Sequence, residues 1–318
     1  MSIPDWPKDG PALLQRMDSA LRTRDGQLMI GGKTVRAWAD QLGTPCFLYD
    51  RSLVNARIAR LRAALPAQVR LHYAVKANPF EPLLAHLKER VDGFDTASLG
   101  ELQALQRQGV DLHRCSIAGP AKSDNELIWA AENGVLVNLE SAGEARRLAA
   151  LARQAGIQAR AALRLNPPFE LKGSGMRMGG GSMPFGIDSE QAGAVLSELD
   201  RAALRLEGFH VYAGSQCRQA DTLADGIERS LALVAKLSEQ HGIMPRSINL
   251  GGGFGIPYAP NDEPLDLARL GGALRETLDR WRDRLPETEF VIELGRYLVG
   301  EAGIYVTRIV DRKHSRGR

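Results

Sequence analysis

Cys46, Cys115 and Cys217 are the three cysteines among 318 residues, too few and too scattered for a disulfide framework and in no metal-ligand spacing. They read as reduced thiols, and no metal site is expected. The sequence also lacks an apolar run long enough to cross a bilayer. Its start, MSIPDWPKDG, sets Asp and Pro where a secretion signal needs a basic start followed by an apolar stretch. Both absences point to the cytoplasm and away from a membrane. Charge of one sign is scarce as well: 41 basic against 38 acidic side chains leave +3, with no block to mark a nucleic-acid-binding face. Internal repeats and low-complexity tracts are absent too.

What is present is a chain 44% hydrophobic, long enough for one large barrel plus a small appended piece. From about residue 70, short apolar runs alternate with Ala/Leu/Arg/Glu segments of helical period, as repeated βα units do. Eight such runs follow one another: VRLHYAV, GFDTA, CSIAG, VLVNLE, AALRLN, EGFHVYAG, SINLGG and FVIELG. Eight units predict a (β/α)8 TIM barrel rather than a doubly wound sheet. The flanks do not fit the barrel. Residues 28–50 read as strand, short helix and strand, and residues 302–310 as one more strand. The expected division is therefore 1–50 as a segment contributing to a β-rich second domain, 51–300 as the barrel, and 301–318 as the start of the rest of that β-domain.

The unusual residues of the eight runs gather at their C-terminal ends, the catalytic face of a TIM barrel: Lys76, Asp95, Ser98, Glu101, Ser215, Gly251 to Gly253, Glu293 and Arg296. Lys76, in HYAVKANPF, directly follows an apolar strand. Low-dielectric walls there would lower its pKa and prepare the amine for Schiff-base formation, although an isolated lysine at a strand end is commonly just a surface residue. In NLGGGFG, Gly251, Gly252 and Gly253 present backbone N–H groups that could bind a phosphate, or they form a plain tight turn. Glu293 of ELGRY could accept the proton of a ring nitrogen, and Arg296 could contact a phosphate or carboxylate. Alternatively the two form only an ion pair at a strand end.

In their order YAVKAN, FDTASLGEL, GSQ, NLGGGFG and ELGRY, these segments resemble the fold-type III pyridoxal-phosphate (PLP) decarboxylases, which include diaminopimelate, ornithine and arginine decarboxylases. The resemblance spans roughly residues 28–310 and implies that the barrel is of the alanine-racemase-like kind. GSGMRMGGGSMPFGID and the ending VDRKHSRG look most like the exosortase-system-associated subgroup. The resemblance implies that Lys76 carries PLP as a Schiff base, that Glu293 pairs with the pyridine nitrogen, and that Ser215, Gly251 to Gly253 and Arg296 bind the phosphate. It also implies that Asp95, Ser98 and Glu101 line the cofactor pocket, and that Arg164 is a cofactor-side arginine, a barrel-rim salt bridge being the other reading.

Two departures qualify it. Where many members stack a histidine on the ring, this chain has Tyr212, which stacks but carries no positive charge near neutral pH. His210, on the same strand face, is then expected to be a satisfied strand histidine. Leu294 replaces a usual proline, a change in loop stiffness. The family also continues into a β-domain whose Cys-Asp pair and tyrosine complete the partner subunit's site in a homodimer. None of the three cysteines matches that position, so a truncated or fragmentary chain is expected, with residues 302–310 left as a strand with few neighbours and an unpaired edge.

The implied activity is decarboxylation of a diaminopimelate-, ornithine- or lysine-like amino acid, a carboxy-lyase reaction, its extent in this form open. A non-catalytic PLP-binding homologue and a fold-type III racemase are the alternatives. The resemblance implies that the residues recognising the substrate side chain lie partly in the family's β-domain, so the substrate itself is not named by the sequence.

Overall fold

The computed structural model describes residues 23–24, 26–259 and 261–316; of the N-terminal segment expected for 1–50, residues 1–22 and 25 lie outside them. Eight parallel strands close on themselves: β1 (Val69–Ala74), β2 (Gly93–Thr96), β3 (Cys115–Ile117), β4 (Leu136–Leu139), β5 (Ala159–Asn166), β6 (Leu204–Val211), β7 (Ser247–Gly252) and β8 (Glu289–Leu294). Each pairs with its chain neighbour, and β8 pairs with β1 to complete the barrel.

Pleating sends alternate residues to opposite faces, and the sequence uses the two faces differently. Val69, Leu71 and Tyr73 of β1, Phe94 of β2, Val137 and Leu139 of β4, and Phe290 and Ile292 of β8 join the apolar layer packed under the helices. The intervening residues face the barrel axis, and many are polar and buried: Asp95, Ser116, Asn138, Arg164, His210 and Glu293. The barrel therefore has an apolar shell and a polar interior. That arrangement is costly unless charges and hydrogen bonds inside are matched, which marks the interior as functional.

Serine caps start three of the described helices that leave the catalytic face. Ser98 Oγ accepts from Glu101 N at 3.3 Å, and Ser141 Oγ accepts from Glu144 N at 3.1 Å, each satisfying an amide the helix cannot. A capping box at Ser123 and Glu126 does the same one unit earlier than Ser141.

The flanks meet. Gly303–Val306 pairs antiparallel with Cys46–Tyr49, and Ile30, Leu48 and Val306 form a small core separate from the barrel's. The strand expected to have few neighbours thus has one full partner, because the chain before the barrel returns to the same edge as the chain after it. No described helix is long and apolar enough to cross a membrane.

Candidate active site

A cavity of about 440 Å³ opens at the C-terminal ends of the strands, lined among others by Lys76, Tyr212, Ser215, Gly253, Glu293 and Arg296. Lys76 sits in a single 3₁₀ turn, Val75–Ala77, that continues β1. Its Nζ lies 6.0 Å from the centroid of the Tyr212 ring, so Tyr212 forms a wall facing the amine. No other lysine lines this cavity among the described residues.

Glu293 is 5% exposed. Its Oε2 accepts from Asn249 Nδ2 at 3.0 Å, and its Oε1 lies 3.3 Å from His210 Nε2. Burial opposes its charge, yet His210, Lys76 and the Asn249 hydrogen bond together hold the carboxyl well below the usual carboxylate range. His210 is 1% exposed and neither ring nitrogen has an aligned hydrogen-bond partner. The satisfied strand histidine expected from sequence is therefore corrected: the ring faces Glu293 with its hydrogen-bonding capacity unused, because β6 presents 210 and 212 to the same interior.

Asp95 accepts from Ser116 Oγ at 3.0 Å. Burial, with Glu293 adding to it, pushes its pKa up to about 7. Lys76 shows the opposite balance to that expected from its apolar strand. Burial alone would lower its pKa, but Asp95 and Glu293 outweigh burial and hold the ammonium above its ordinary value. The sequence shows the walls but not the two carboxylates that the closed barrel brings across from β2 and β8.

The three glycines form a surface that side chains cannot occupy. Gly251 and Gly253 have φ of +68° and +73°. A Cβ on Gly251 would lie 2.6 Å from Tyr212 Cδ2, one on Gly252 would overlap the Glu293 carbonyl, and one on Gly253 would overlap the Gly214 carbonyl. Across this loop, Gln216 Nε2 donates to Ile256 O at 2.5 Å while Ile256 N donates to Gln216 Oε1 at 3.2 Å.

The remaining sequence candidates stand further back. Ser98 and Glu101 brace the turn after β2, with Glu101 Oε2 accepting from Ala97 N at 2.7 Å. Arg164 Nη1 donates to Glu140 Oε1 at 2.7 Å, and its guanidinium lies 5.0 Å from the Phe185 ring. Glu140 also accepts from Gly119 N and Gly186 N, each at 2.6 Å, so it ties three loops together.

Residues 51–300 match the family described as pyridoxal-dependent decarboxylase, pyridoxal binding domain. The chain belongs to this decarboxylase family. It is 31% identical over 286 residues to the L-glutamyl-[BtrI acyl-carrier protein] decarboxylase of Niallia circulans, covering 89% of this chain and 67% of that one. It is 32% identical over 309 residues to the diaminopimelate decarboxylase of Aquifex aeolicus, covering 93% and 70%. The crystal structure of AQ1208 from Aquifex aeolicus superposes with a TM-score of 0.82 at 29% identity, over 96% of this chain and 71% of that one. A diaminopimelate decarboxylase from M. jannaschi gives 0.82 at 25% identity, over 90% and 69%.

Pyridoxal phosphate is thus the decarboxylase's cofactor, and the site fits it. Its amine, its buried carboxylate, its side-chain-free glycine surface and Arg296 are of the chemical kinds that would suit the carbonyl, the ring nitrogen and the phosphate of such a group. Sequence reasoning did not single out Asn249, Glu140 or Gln216. Asn249 had one available signal, its place at the head of NLGGGFG; the other two show their roles only through partners distant in sequence.

Proposed function

We propose that this decarboxylase removes the carboxylate of an amino acid with a second polar terminus, with Lys76 as the cofactor-holding amine and Glu293 as the partner of the pyridine nitrogen. Two relatives support that substrate class: one is named for diaminopimelate and another for a carrier-linked glutamyl group. The observation that carries the reading is the opposition of Lys76 and buried Glu293 in one cavity beside the glycine surface. Bound PLP supplies an electron sink for the pair left behind when carbon dioxide departs.

The chain's own residues do the rest. Glu293, ionised, hydrogen-bonded by Asn249 and facing His210, would hold a proton on the ring nitrogen and so keep the ring electron-poor. Tyr212 forms the flat wall beside the amine, and Ser215, the Gly251–Gly253 backbone and Arg296 take the phosphate. Asp95, with a pKa near neutrality, sets how readily the Lys76 ammonium gives up its proton. Ser98, Glu101 and Arg164 act through loop geometry around this centre.

A homodimer is part of the same reading. Its support is an exposed aromatic cluster on the flanking sheet, where Phe47 and Tyr305 lie 4.8 Å apart at 65% and 57% exposure, the kind of surface that interfaces cover. The experiment is carbon dioxide release from a panel of diamino and dicarboxylic amino acids, free and carrier-linked, alongside the absorbance of the bound cofactor. Release from at least one substrate is expected. Bound cofactor with no release from any of them favours the non-catalytic homologue, and loss of optical activity without release favours a racemase.

A further inference from the structure

Asn249 stands where β7 departs from regular pairing. Along β7 and β8, Asn249 lies opposite Val291, but the next aligned pair is Gly252 with Glu293, so β7 carries one extra residue at this point. The extra residue is a β-bulge, and Gly251 with its φ of +68° supplies the left-handed conformation it needs. Asn249 Oδ1 accepts the Gly251 N–H at 2.8 Å and so closes the bulge from its own side chain. The other half of the same carboxamide, Nδ2, donates to Glu293 Oε2 at 3.0 Å. Both bonds form only in this amide orientation, since the oxygen has no hydrogen to offer Glu293 and the nitrogen no lone pair for Gly251.

We propose that Asn249 is a positioning residue that couples the two ends of the cofactor site, fixing the bulge that presents the phosphate-side backbone and orienting Glu293 at the ring end. The inference rests on the roles given above to Glu293 and to Gly251–Gly253. A rigid, planar carboxamide with one donor end and one acceptor end sets the spacing between the bulge and the carboxylate. Without it the bulge loses its closing bond and Glu293 loses the amide donor at its Oε2.

The charged and titratable groups facing Glu293 come from several strands: His72 and Lys76 on or after β1, Asp95 on β2, and His210 and Tyr212 on or after β6. None of these replaces the Asn249 bond, which stabilises the ionised carboxylate directly and without adding charge. Asn249 also lines a second cavity, of about 270 Å³, on the floor side of the barrel with His72 and Asn138. It therefore separates the cofactor side of Glu293 from that cavity.

The test uses Asn249→Leu, of similar size but without hydrogen bonds, and Asn249→Ser, smaller and still polar. PLP affinity is titrated by absorbance across pH, with thermal unfolding of the cofactor-free protein as the check on folding. For Asn249→Leu the dissociation constant of PLP rises about tenfold or more, as loss of a hydrogen bond to a charged group entails. The acid limb of binding moves to higher pH, because Glu293 protonates more readily once the donor is gone. Asn249→Ser moves both readouts in the same direction by less.

Affinity and acid limb both unchanged in folded Asn249→Leu overturn the proposal; if that variant does not fold, the same result in Asn249→Ser does so. Glu293→Gln serves as the reference. If Glu293→Gln removes the acid limb while Asn249→Leu leaves it in place, the coupling fails and the site assignment stands. If Glu293→Gln leaves the limb untouched, the site assignment itself fails, and the coupling with it.

Discussion

Asp95 and Glu293 reach the same amine, Lys76, from the two strands that flank β1, and they hold their protons with very different strength. Glu293 is anchored by Asn249 and faces His210, whereas Asp95 has one hydroxyl donor, Ser116, and the repulsion of Glu293. Two like charges this close in a buried site do not ionise together easily, so the less supported carboxyl takes the proton first.

The stability consequence has a definite sign. The Asp95 pKa rises from 3.8 to about 7 on folding, so its contribution is complete at low pH and is lost as pH climbs through that window. Between about pH 4 and about pH 7 the cofactor-free wild-type protein is expected to lose stability relative to Asp95→Asn; His72, which burial lowers to about 4, acts in the opposite sense but equally in both proteins. Urea unfolding at the two pH values checks this; equal slopes for both proteins contradict it.

Glu293→Gln is expected to bind PLP more weakly yet to load fully at saturating cofactor, where kcat still falls by about a hundredfold or more, since a neutral amide cannot hold the ring-nitrogen proton. Cofactor titration and steady-state rates separate the two effects. Failure to load at any PLP concentration, or full turnover once loaded, would make Glu293 a structural residue.

Gly253→Ala places a methyl group against the Gly214 carbonyl in a left-handed conformation. The loop must move, and PLP affinity is expected to drop by about tenfold or more while the barrel still unfolds cooperatively. Equilibrium dialysis measures the first and circular dichroism the second. An unchanged affinity would remove the glycine loop from the phosphate site.

Glu140→Ala leaves Arg164 buried without its carboxylate and frees the Gly119 and Gly186 amides. A loss of roughly 3–5 kcal/mol is expected from breaking one side of a buried pair. Denaturant midpoints give the value, and a loss under about 1 kcal/mol would show that solvent reaches the pair.

The barrel was legible because its evidence is local. Each strand carries its apolar run, and the residues ending it, from Lys76 to Arg296, fall on one face by the rule of the fold. Gly251 to Gly253 could be read as a close approach, although what they approach, the Gly214 and Glu293 carbonyls, comes from other strands. The raised Lys76 pKa could not be read, since its cause lies on β2 and β8, 19 and 217 residues away. His210 was misread for the same reason: strand periodicity gives the face, and only barrel closure shows Glu293 opposite it. Arg164 was left between two roles, and its pairing with Glu140 depends on the β4–β5 contact.

Reduction of the PLP-loaded protein with borohydride, followed by peptide mass analysis, tests the central claim most directly, because it fixes the cofactor to the lysine that holds it. Lys122 is buried and ion-paired to Glu144 at 2.6 Å, and Lys172 and Lys236 are exposed away from the cavity lining, which leaves Lys76 as the expected site. One labelled peptide containing Lys76, absent from Lys76→Ala, is the result this account requires; label on Lys122, Lys172 or Lys236 would contradict it.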